Sequence, residues 1–389
     1  MKLPTRNSLS AEQERVFTEA PLTGSTIILG PPGTGKTVLG VFRAQLLIKK
    51  KQNFDMVMYN RVLKQFTLQS LGEKVWETSA KTWHSWIFNW WQDANKGSLR
   101  KLPERERWAP DFIKAMGLLD QVAFPARLGW ANLILDEGQD FPQDFYFLLN
   151  CILSNPRFHN GSVPALTVLA DENQRLDPDR NSTVQQIISA LGVHKDSIFR
   201  LSKNFRNSRE IAELARVFHT GNPKEIPELP TRSGPKPTLV KFEAFSDEMD
   251  HLFRYAKNNE DLEIGVFFAD LSTQKRAYDE LDNRCQKVGI KLQYYSSKES
   301  KNLPVFDSKG SITLLCGKSV KGVEFDAVFV PQLTKYRTDG VNTAFVKMNF
   351  YVLSTRARKL LQFSYTDATL PPDILSVFSA AGPNVLERK

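Results

Sequence analysis

Residues 30–37 read Gly30-Pro31-Pro32-Gly33-Thr34-Gly35-Lys36-Thr37, which matches the eight positions of a phosphate loop in full. A strand-like apolar run over residues 25–29 precedes the loop, and a helical pattern over residues 37–50 follows it, which is the context that such a loop requires. Glycines let backbone N–H groups curl around phosphate oxygens, and the N-terminus of the following helix adds positive potential. The sequence therefore predicts a P-loop site that binds a nucleoside triphosphate.

Two residues of the loop have expected roles beyond cradling phosphate. Lys36 is expected to reach the β- and γ-phosphates, and the hydroxyl of Thr37 is expected to hold Mg²⁺. The predicted nucleotide-binding residues of the loop are Gly30, Pro31, Gly33, Thr34, Gly35, Lys36 and Thr37.

An acidic pair follows a second strand-like run, at residues 132–135. A phosphate loop needs a further metal carboxylate on a neighbouring strand, and Asp136 is placed to supply it. Glu137 is expected to act as the general base that orients the attacking water. An isolated apolar run before Asp-Glu is more often a charged strand end, but the complete loop upstream favours the functional interpretation. The pair predicts hydrolysis of the nucleotide rather than its storage.

Short β-branched or aromatic runs alternate with helical stretches along most of the chain. This alternation predicts an α/β protein whose parallel sheets carry helices on both faces. A second set of predicted strands begins at residues 198–201, so the simplest division is an N-terminal domain over residues 1–196 and a C-terminal domain over residues 197–389. Residues 92–125 are less regular and are interpreted as a small insertion in the first half.

Composition narrows the functional classes only a little. The chain has 389 residues and a formal net charge of +9, which favours polyanionic partners weakly. Its three cysteines are odd in number and far apart, which gives neither a disulfide framework nor a zinc pattern. Apolar runs are of strand length and no export signal is visible, so a cytoplasmic protein without membrane contact is expected.

Six further motifs occur in a fixed order along the chain. They read Leu9-Ser10-Ala11-Glu12-Gln13, Asp136-Glu137-Gly138-Gln139-Asp140, Ala170-Asp171-Glu172-Asn173-Gln174, Asn204-Phe205-Arg206, Lys321-Gly322-Val323-Glu324-Phe325 and Tyr351-Val352-Leu353-Ser354-Thr355-Arg356-Ala357-Arg358. With the phosphate loop, this series resembles the UvrD/Rep-like branch of superfamily 1 helicases, in a compact form without the large inserted subdomains. The resemblance implies two tandem RecA-like domains that bind ATP and Mg²⁺ between them.

The resemblance also implies roles for individual residues. Gln13 would read adenine, Gln174 would sense the γ-phosphate, and Gly322 and Glu324 would approach the nucleotide. Arg206 and Arg356 would place positive charge on the γ-phosphate from the second half. The implied catalytic residues are Lys36, Glu137, Gln174, Arg206 and Arg356, and the implied metal ligands are Thr37 and Asp136.

Two segments match the family's contacts with a single nucleic-acid strand. Tyr59 and Asn60 follow a predicted strand, and the segment Thr82-Trp83-His84-Ser85-Trp86 resembles a T-x-H-S-F element. Tyr59, Asn60, Thr82, His84 and Trp86 are the predicted nucleic-acid-binding residues, with Trp86 as the first candidate for base stacking. Trp83, Trp86 and Trp90 also fall at helical spacing, so burial on one helix face is the alternative interpretation.

Two functions of different classes agree with these observations. The first is a nucleic-acid-stimulated ATPase that moves along single-stranded DNA or RNA, with 3′-to-5′ polarity favoured by the resemblance. The second is an ATP-gated interaction module that partners a nuclease or a defence or repair complex and does not unwind by itself. An unrelated phosphate-loop kinase or GTPase is disfavoured, because no guanine-reading motif is evident and a second α/β half is present.

Overall fold

Two parallel sheets, each flanked by helices, form the α/β framework of the protein. The computed structural model describes residues 5–59, 61–71, 78–98, 101–160, 162–175, 180–221, 226–296, 303–306, 308–336, 343–366 and 373–389. This architecture has the form of two tandem RecA-like domains, as expected from the sequence. Within those ranges, no helix is both long enough and apolar enough to cross a membrane.

The first sheet has six strands in the order β3-β2-β6-β7-β1-β8, all of them parallel. A separate antiparallel hairpin, β4–β5, lies between β3 and β6 in the chain. The strands are β1 Ser25–Leu29, β2 Asp55–Met58, β3 Ala80–Thr82, β4 Glu104–Glu106, β5 Ala109–Pro110, β6 Asn132–Leu135, β7 Ala165–Ala170 and β8 Ile198–Arg200. The helices of this part are α1 Ala11–Glu19, α2 Lys36–Lys49, α3 Arg61–Leu71, α4 Trp83–Ala94, α5 Phe112–Gly117, α6 Gln143–Ser154 and α7 Val184–Leu191.

The second sheet has seven strands in the order β11-β12-β10-β13-β14-β9-β15, also all parallel. Its strands are β9 Thr238–Phe242, β10 Glu263–Phe268, β11 Lys291–Tyr294, β12 Ser311–Cys316, β13 Phe325–Val330, β14 Ala357–Thr366 and β15 Glu387–Arg388. Its helices are α8 Arg209–Val217, α9 Phe245–Lys257, α10 Leu271–Val288 and α11 Thr343–Ser354.

Both faces of each sheet are covered, which explains why the central strands read as continuous apolar runs. Neighbouring residues Ile27 and Ile28 of β1 belong to different core clusters, one on each face of the first sheet. Two more clusters cover the faces of the second sheet. Val62 on α3 belongs to the same core cluster as Val320 and Val323 of the second half, so α3 joins the two halves.

One strand lies in a different sheet from the one expected from the sequence. Residues 198–201 were expected to begin the second half, but β8 pairs with β1 and forms an edge of the first sheet, so that expectation is wrong. The domain limits 1–196 and 197–389 stay a prediction; β8 lies just after that limit in the chain, although it belongs to the first sheet. In the second half, α11 ends at Ser354 and β14 begins at Ala357, so Arg356 lies in the turn between them.

Because the strands within each sheet are parallel, the polar residues at their ends gather along the edges of the sheets. The phosphate loop, Tyr59, Asp136 and Asp171 follow β1, β2, β6 and β7, so they share the carboxyl edge of the first sheet. Glu324 and Arg356 precede β13 and β14, at the amino edge of the second sheet.

Candidate nucleotide cleft and nucleic-acid face

The phosphate loop has a conformation that depends on its glycines. Gly33 and Gly35 have φ values of +80° and +88°, a region that residues with a side chain rarely adopt. A Cβ atom at Gly33 would lie 2.4 Å from Oδ1 of Asn204, and one at Gly35 would lie 2.4 Å from Nε2 of Gln13. The loop therefore fits closely against two residues of the predicted motifs.

The side chain of Lys36 folds back over the phosphate loop. Its buried ammonium group donates hydrogen bonds to the carbonyl oxygens of Gly30, at 2.5 Å, and Pro31, at 3.1 Å. It also lies 3.7 Å from Oδ2 of Asp171. The positive charge is thus held at the place where the loop would cradle phosphates. Thr34 is turned inward instead, since its hydroxyl donates to the carbonyl oxygen of Pro31 at 2.8 Å.

The side chains of Thr37 and Asp136, the two predicted metal ligands, are in direct contact. The hydroxyl of Thr37 donates to Oδ2 of Asp136 at 3.0 Å. Burial and the neighbouring charge of Glu137 raise the pKa of Asp136 to about 7, against the opposing effects of Thr37 and Lys36. Hydroxyl and carboxylate oxygens are the ligands that Mg²⁺ prefers, and a divalent cation would remove the penalty on the buried carboxylate, so these residues fit Mg²⁺.

Glu137 has an uncommon backbone conformation and a charged side chain. Its φ of +53° lies in the left-handed region, which non-glycine residues adopt mainly where the surrounding structure enforces it. Burial would raise the pKa of Glu137, but Lys321, Lys36 and Arg356 outweigh it and lower that pKa. The carboxylate is therefore ionised and can accept a proton or a hydrogen bond from water.

A chain of hydrogen bonds runs from Glu137 to the second half of the protein. Gln139 donates to Oε2 of Glu137 at 2.6 Å and accepts from the backbone N–H of Asp171 at 2.9 Å. Gln174 donates to Oδ2 of Asp171 at 2.5 Å, and its own Oε1 accepts from Arg356 at 2.8 Å. The predicted γ-phosphate sensor thus touches one of the predicted arginines directly.

The two predicted arginines lie at different depths. Arg356 is fully buried, and it donates to the carbonyl oxygen of Val352 at 3.0 Å as well as to Gln174. Burial, together with Arg206, lowers the pKa of Arg356 to about 10, so it stays charged at neutral pH. Arg206 is half-buried and donates to Oε2 of Glu324 at 2.5 Å.

Glu324 links two arginines from different motifs. Its Oε2 accepts from Arg206, and its Oε1 accepts from Arg358 at 2.7 Å. Burial would raise the pKa of Glu324, but the two guanidinium groups hold it at about 2. Glu324 lines the cleft, where its oxygens hold the two arginines in place; its expected approach to the nucleotide stays a prediction.

Lys321 is a site residue to which the sequence assigned no role. It is buried, lies 2.6 Å from Oδ1 of Asp140, and donates a further hydrogen bond to the carbonyl oxygen of Gln174. Its ammonium group is 3.9 Å from Oε2 of Glu137. Lys321 therefore joins the second half to both acidic motifs of the first. Its place in the Lys-Gly-Val-Glu motif was a signal, but the sequence does not reveal a partner 181 residues away.

Gly322 marks a close contact between the halves. Its φ is +83°, and a Cβ atom there would lie 2.5 Å from Cδ1 of Leu63 on α3. The loop that carries Lys321 and Glu324 thus rests directly on α3.

A cleft of about 740 Å³ lies between the two sheets. It is lined from the first half by residues that include Gln13, Gly33, Gly35, Lys36, Thr37, Glu137 and Gln174, and from the second by residues that include Arg206, Gly322, Glu324, Arg356 and Arg358. Gln13 lies at its edge, where its Oε1 accepts from the backbone N–H of Ser10 at 3.0 Å and its Nε2 donates to the carbonyl oxygen of Thr34 at 2.9 Å. Each amide atom keeps capacity for one more hydrogen bond, as contact with adenine would require.

Phe205 also lines the cleft and was not expected as a site residue. Its side chain is 52% exposed, although it is a large apolar ring. Its backbone N–H donates to the carbonyl oxygen of Gly33 at 2.9 Å, so the backbone that carries the ring is held against the phosphate loop. Its position immediately before Arg206 was the available signal.

The predicted nucleic-acid residues divide into two groups. Tyr59 is half-buried after β2, Thr82 is half-buried at the N-terminus of α4, and His84 is exposed two residues further on. These three share the carboxyl edge of the first sheet. Asn60 lies outside the described residues.

Trp86 does not have the exposure that base stacking requires, so this expectation is wrong. The ring is 2% exposed, stacks on Trp90 with centroids 5.2 Å apart, and donates its Nε1–H to Oδ2 of Asp55 at 2.9 Å. Trp83 is buried as well, against Phe145. The apolar face of α4 faces the sheet, and the alternative interpretation of the helical spacing is confirmed.

Comparisons with known proteins add little to this geometry. No protein-family model matches the chain, and no curated protein matches it. Among solved structures, the chain is similar to the C-terminal domain of a possible DNA helicase from Lactobacillus plantarum WCFS1, with a TM-score of 0.33 and 15% sequence identity. That match covers 47% of this chain and 98% of the other. The fold and the cleft define an α/β protein with two parallel sheets and a phosphate loop at their junction.

Proposed function

We propose that the protein is an ATPase of the UvrD/Rep-like superfamily 1 type, which couples hydrolysis of ATP to movement along single-stranded DNA or RNA. The observation that carries this proposal is the distribution of charge around the cleft. Lys36, Asp136 and Glu137 belong to the first half, while Arg206 and Arg356 belong to the second. A ligand with charge at its terminal phosphate would therefore contact both halves.

Each polar group of the cleft has a chemical role in this proposal. Thr37 and Asp136 would hold Mg²⁺, which supplies charge neutralisation at the β- and γ-phosphates when bound. Lys36 would exchange its bonds to the loop carbonyls for phosphate oxygens. Glu137 would orient the attacking water and accept its proton. Arg206 and Arg356 would stabilise the charge that develops on the transferred phosphoryl group.

The hydrogen bond between Gln174 and Arg356 supports a coupling between hydrolysis and closure of the cleft. A triphosphate would favour the closed arrangement, because only its terminal phosphate can bridge the two halves. After hydrolysis that bridge is lost, and the halves would separate. Tyr59, Thr82 and His84 lie on the same sheet edge as the phosphate loop, where such a movement would change their distance from the second half.

The decisive experiment compares the ATPase rate without nucleic acid and with single-stranded DNA, duplex DNA or RNA. We expect a single strand to raise the rate at least several-fold, and we expect Lys36→Ala to abolish hydrolysis with and without the strand. Arg127→Ala is the control, since Arg127 forms an exposed pair with Asp93. Duplexes with a 3′ tail and with a 5′ tail test the expected polarity.

One outcome would favour the ATP-gated interaction module instead. If ATP binds but no nucleic acid changes the rate of hydrolysis, the motor function is contradicted. A protein complex whose stability depends on ATP, without displacement of a labelled strand, would then support the module. No observation on the described residues favours that second function over the first.

A further inference from the structure

An exposed tryptophan lies at the turn of the hairpin β4–β5, inside the region that was expected to be a small insertion. Trp108 is 59% exposed, which is unusual for so large an apolar side chain. Its φ of +68° lies in the left-handed region, and its backbone N–H is held by Oε1 of Glu104 at 2.7 Å. The hairpin thus holds a bulky ring outward in a conformation that is costly for such a residue.

The surroundings of Trp108 connect it to the predicted nucleic-acid face. A backbone hydrogen bond joins Trp108 to the imidazole of His84, and the edge of Phe88 meets the indole ring with centroids 5.7 Å apart. His84 and Phe88 lie on consecutive turns of α4, directly after Thr82. The hairpin therefore places the exposed ring of Trp108 next to the carboxyl edge of the first sheet.

Positive charge lies beside the ring. The guanidinium of Arg107 is 5.8 Å from the centroid of Trp108, and among the described residues no carboxylate pairs with it. Arg105 and Arg180, by contrast, are paired with Asp144 and Glu106. An aromatic face beside an unpaired guanidinium is the combination that takes a base together with its phosphate.

We infer that Trp108 stacks on an unpaired base of a single nucleic-acid strand, while Arg107 contacts the adjacent phosphate. This inference rests on the proposed function and assigns to the hairpin the stacking role that the buried Trp86 cannot have. Stacking does not depend on base identity, so the contact would serve binding to any sequence.

The experiment measures the affinity of fluorescein-labelled oligo(dT) and oligo(U) by anisotropy, at several salt concentrations. We expect Trp108→Ala to weaken binding by roughly 5- to 150-fold, without a change in the salt dependence. We expect Arg107→Ala to lower the slope of log affinity against log salt by about one. Phe124→Ala is the matched control, because Phe124 is an exposed aromatic beside Arg127 at the opposite end of α4 and should bind as wild type.

An abasic strand separates stacking from a structural effect. Wild type should bind it more weakly than the normal strand, whereas Trp108→Ala should bind both equally, because no ring remains to recognise the base. If Trp108→Ala loses the same affinity for both strands, or keeps wild-type affinity, the stacking inference is wrong. Either result would leave the proposed function untouched. If the wild-type protein binds no single strand, the proposed function itself fails.

Discussion

Gln174 and Arg356 are joined by a hydrogen bond of 2.8 Å between Oε1 of the glutamine and Nη2 of the arginine. The two residues are 182 positions apart; Gln174 follows β7 of the first sheet, and Arg356 directly precedes β14 of the second. Because Gln174 also bonds Asp171, which lies near Lys36, the buried arginine is connected through two side chains to the phosphate loop.

Arg356→Ala should reduce kcat by at least about 100-fold, since charge on the transferred phosphoryl group would lose its partner. Affinity for the nucleotide should stay within about tenfold, because a group of this kind acts mainly in the transition state. Steady-state kinetics and nucleotide titration measure the two effects separately. Arg356→Lys keeps the charge but not the planar guanidinium group, so its kcat should lie between the values of wild type and Arg356→Ala. An unchanged kcat in Arg356→Ala would reduce this residue to a structural role.

Glu137→Gln should bind ATP but hydrolyse it at least about 100-fold more slowly, because an amide cannot accept the proton of the attacking water. Gln139 can still hydrogen-bond the new side chain, so the local fold should persist. Calorimetric titration with ATP measures the binding, and single-turnover kinetics measure the rate of hydrolysis. Glu213→Gln, which alters an exposed pair with Arg209, is the matched control. Retained hydrolysis would mean that another group positions the water.

Glu324 should make stability depend on pH in the acid range. Its pKa of about 2 lies below the ordinary value of 4.5, so its two ion pairs stabilise the fold fully above pH 4.5. This contribution, about 3 kcal/mol, is lost as the pH falls from there towards 2. Urea unfolding should therefore show a gap between wild type and Glu324→Gln that is constant from pH 8 to 5 and narrows from pH 4.5 to 3. A gap that widens on acidification would contradict this assignment.

Lys321→Met should lower the free energy of unfolding by about 3–5 kcal/mol, because it leaves the charge of Asp140 buried without its cation. Adding Asp140→Asn should recover part of the loss, and urea unfolding of the single and double variants measures this coupling. Lys275→Met is the matched control, since its pair with Asp279 is exposed and the change should leave the free energy of unfolding nearly unchanged. Additive losses in the double variant would show that the two groups do not interact.

The sequence predicts local geometry better than contacts between distant segments. The loop that holds Lys36 and Thr37 is specified by eight consecutive residues, so its place between a strand and a helix could be read directly. β8 could not be assigned to a sheet, because its three residues carry no information about which strand they will pair with. The pairing of Lys321 with Asp140 was likewise invisible, since it forms only when the two halves meet.

The tryptophans also show that a sequence predicts repeating patterns better than the exposure of a single residue. Helical spacing of Trp83, Trp86 and Trp90 indicated a shared face, and the structure buries that face against the first sheet. Trp108 has no such periodicity, because a residue in a two-residue turn belongs to no repeating pattern. Its exposure could be learned only from the folded hairpin.

The contact between Gly322 and Leu63 has a mechanical consequence. α3 begins two residues after Tyr59, and Lys321 and Glu324 flank Gly322 in the chain. Since not even a methyl group fits between the glycine and the leucine, α3 cannot slide without displacing that loop. A displacement of α3 at its Tyr59 end would therefore also displace the loop that carries the ion pairs of Lys321 and Glu324.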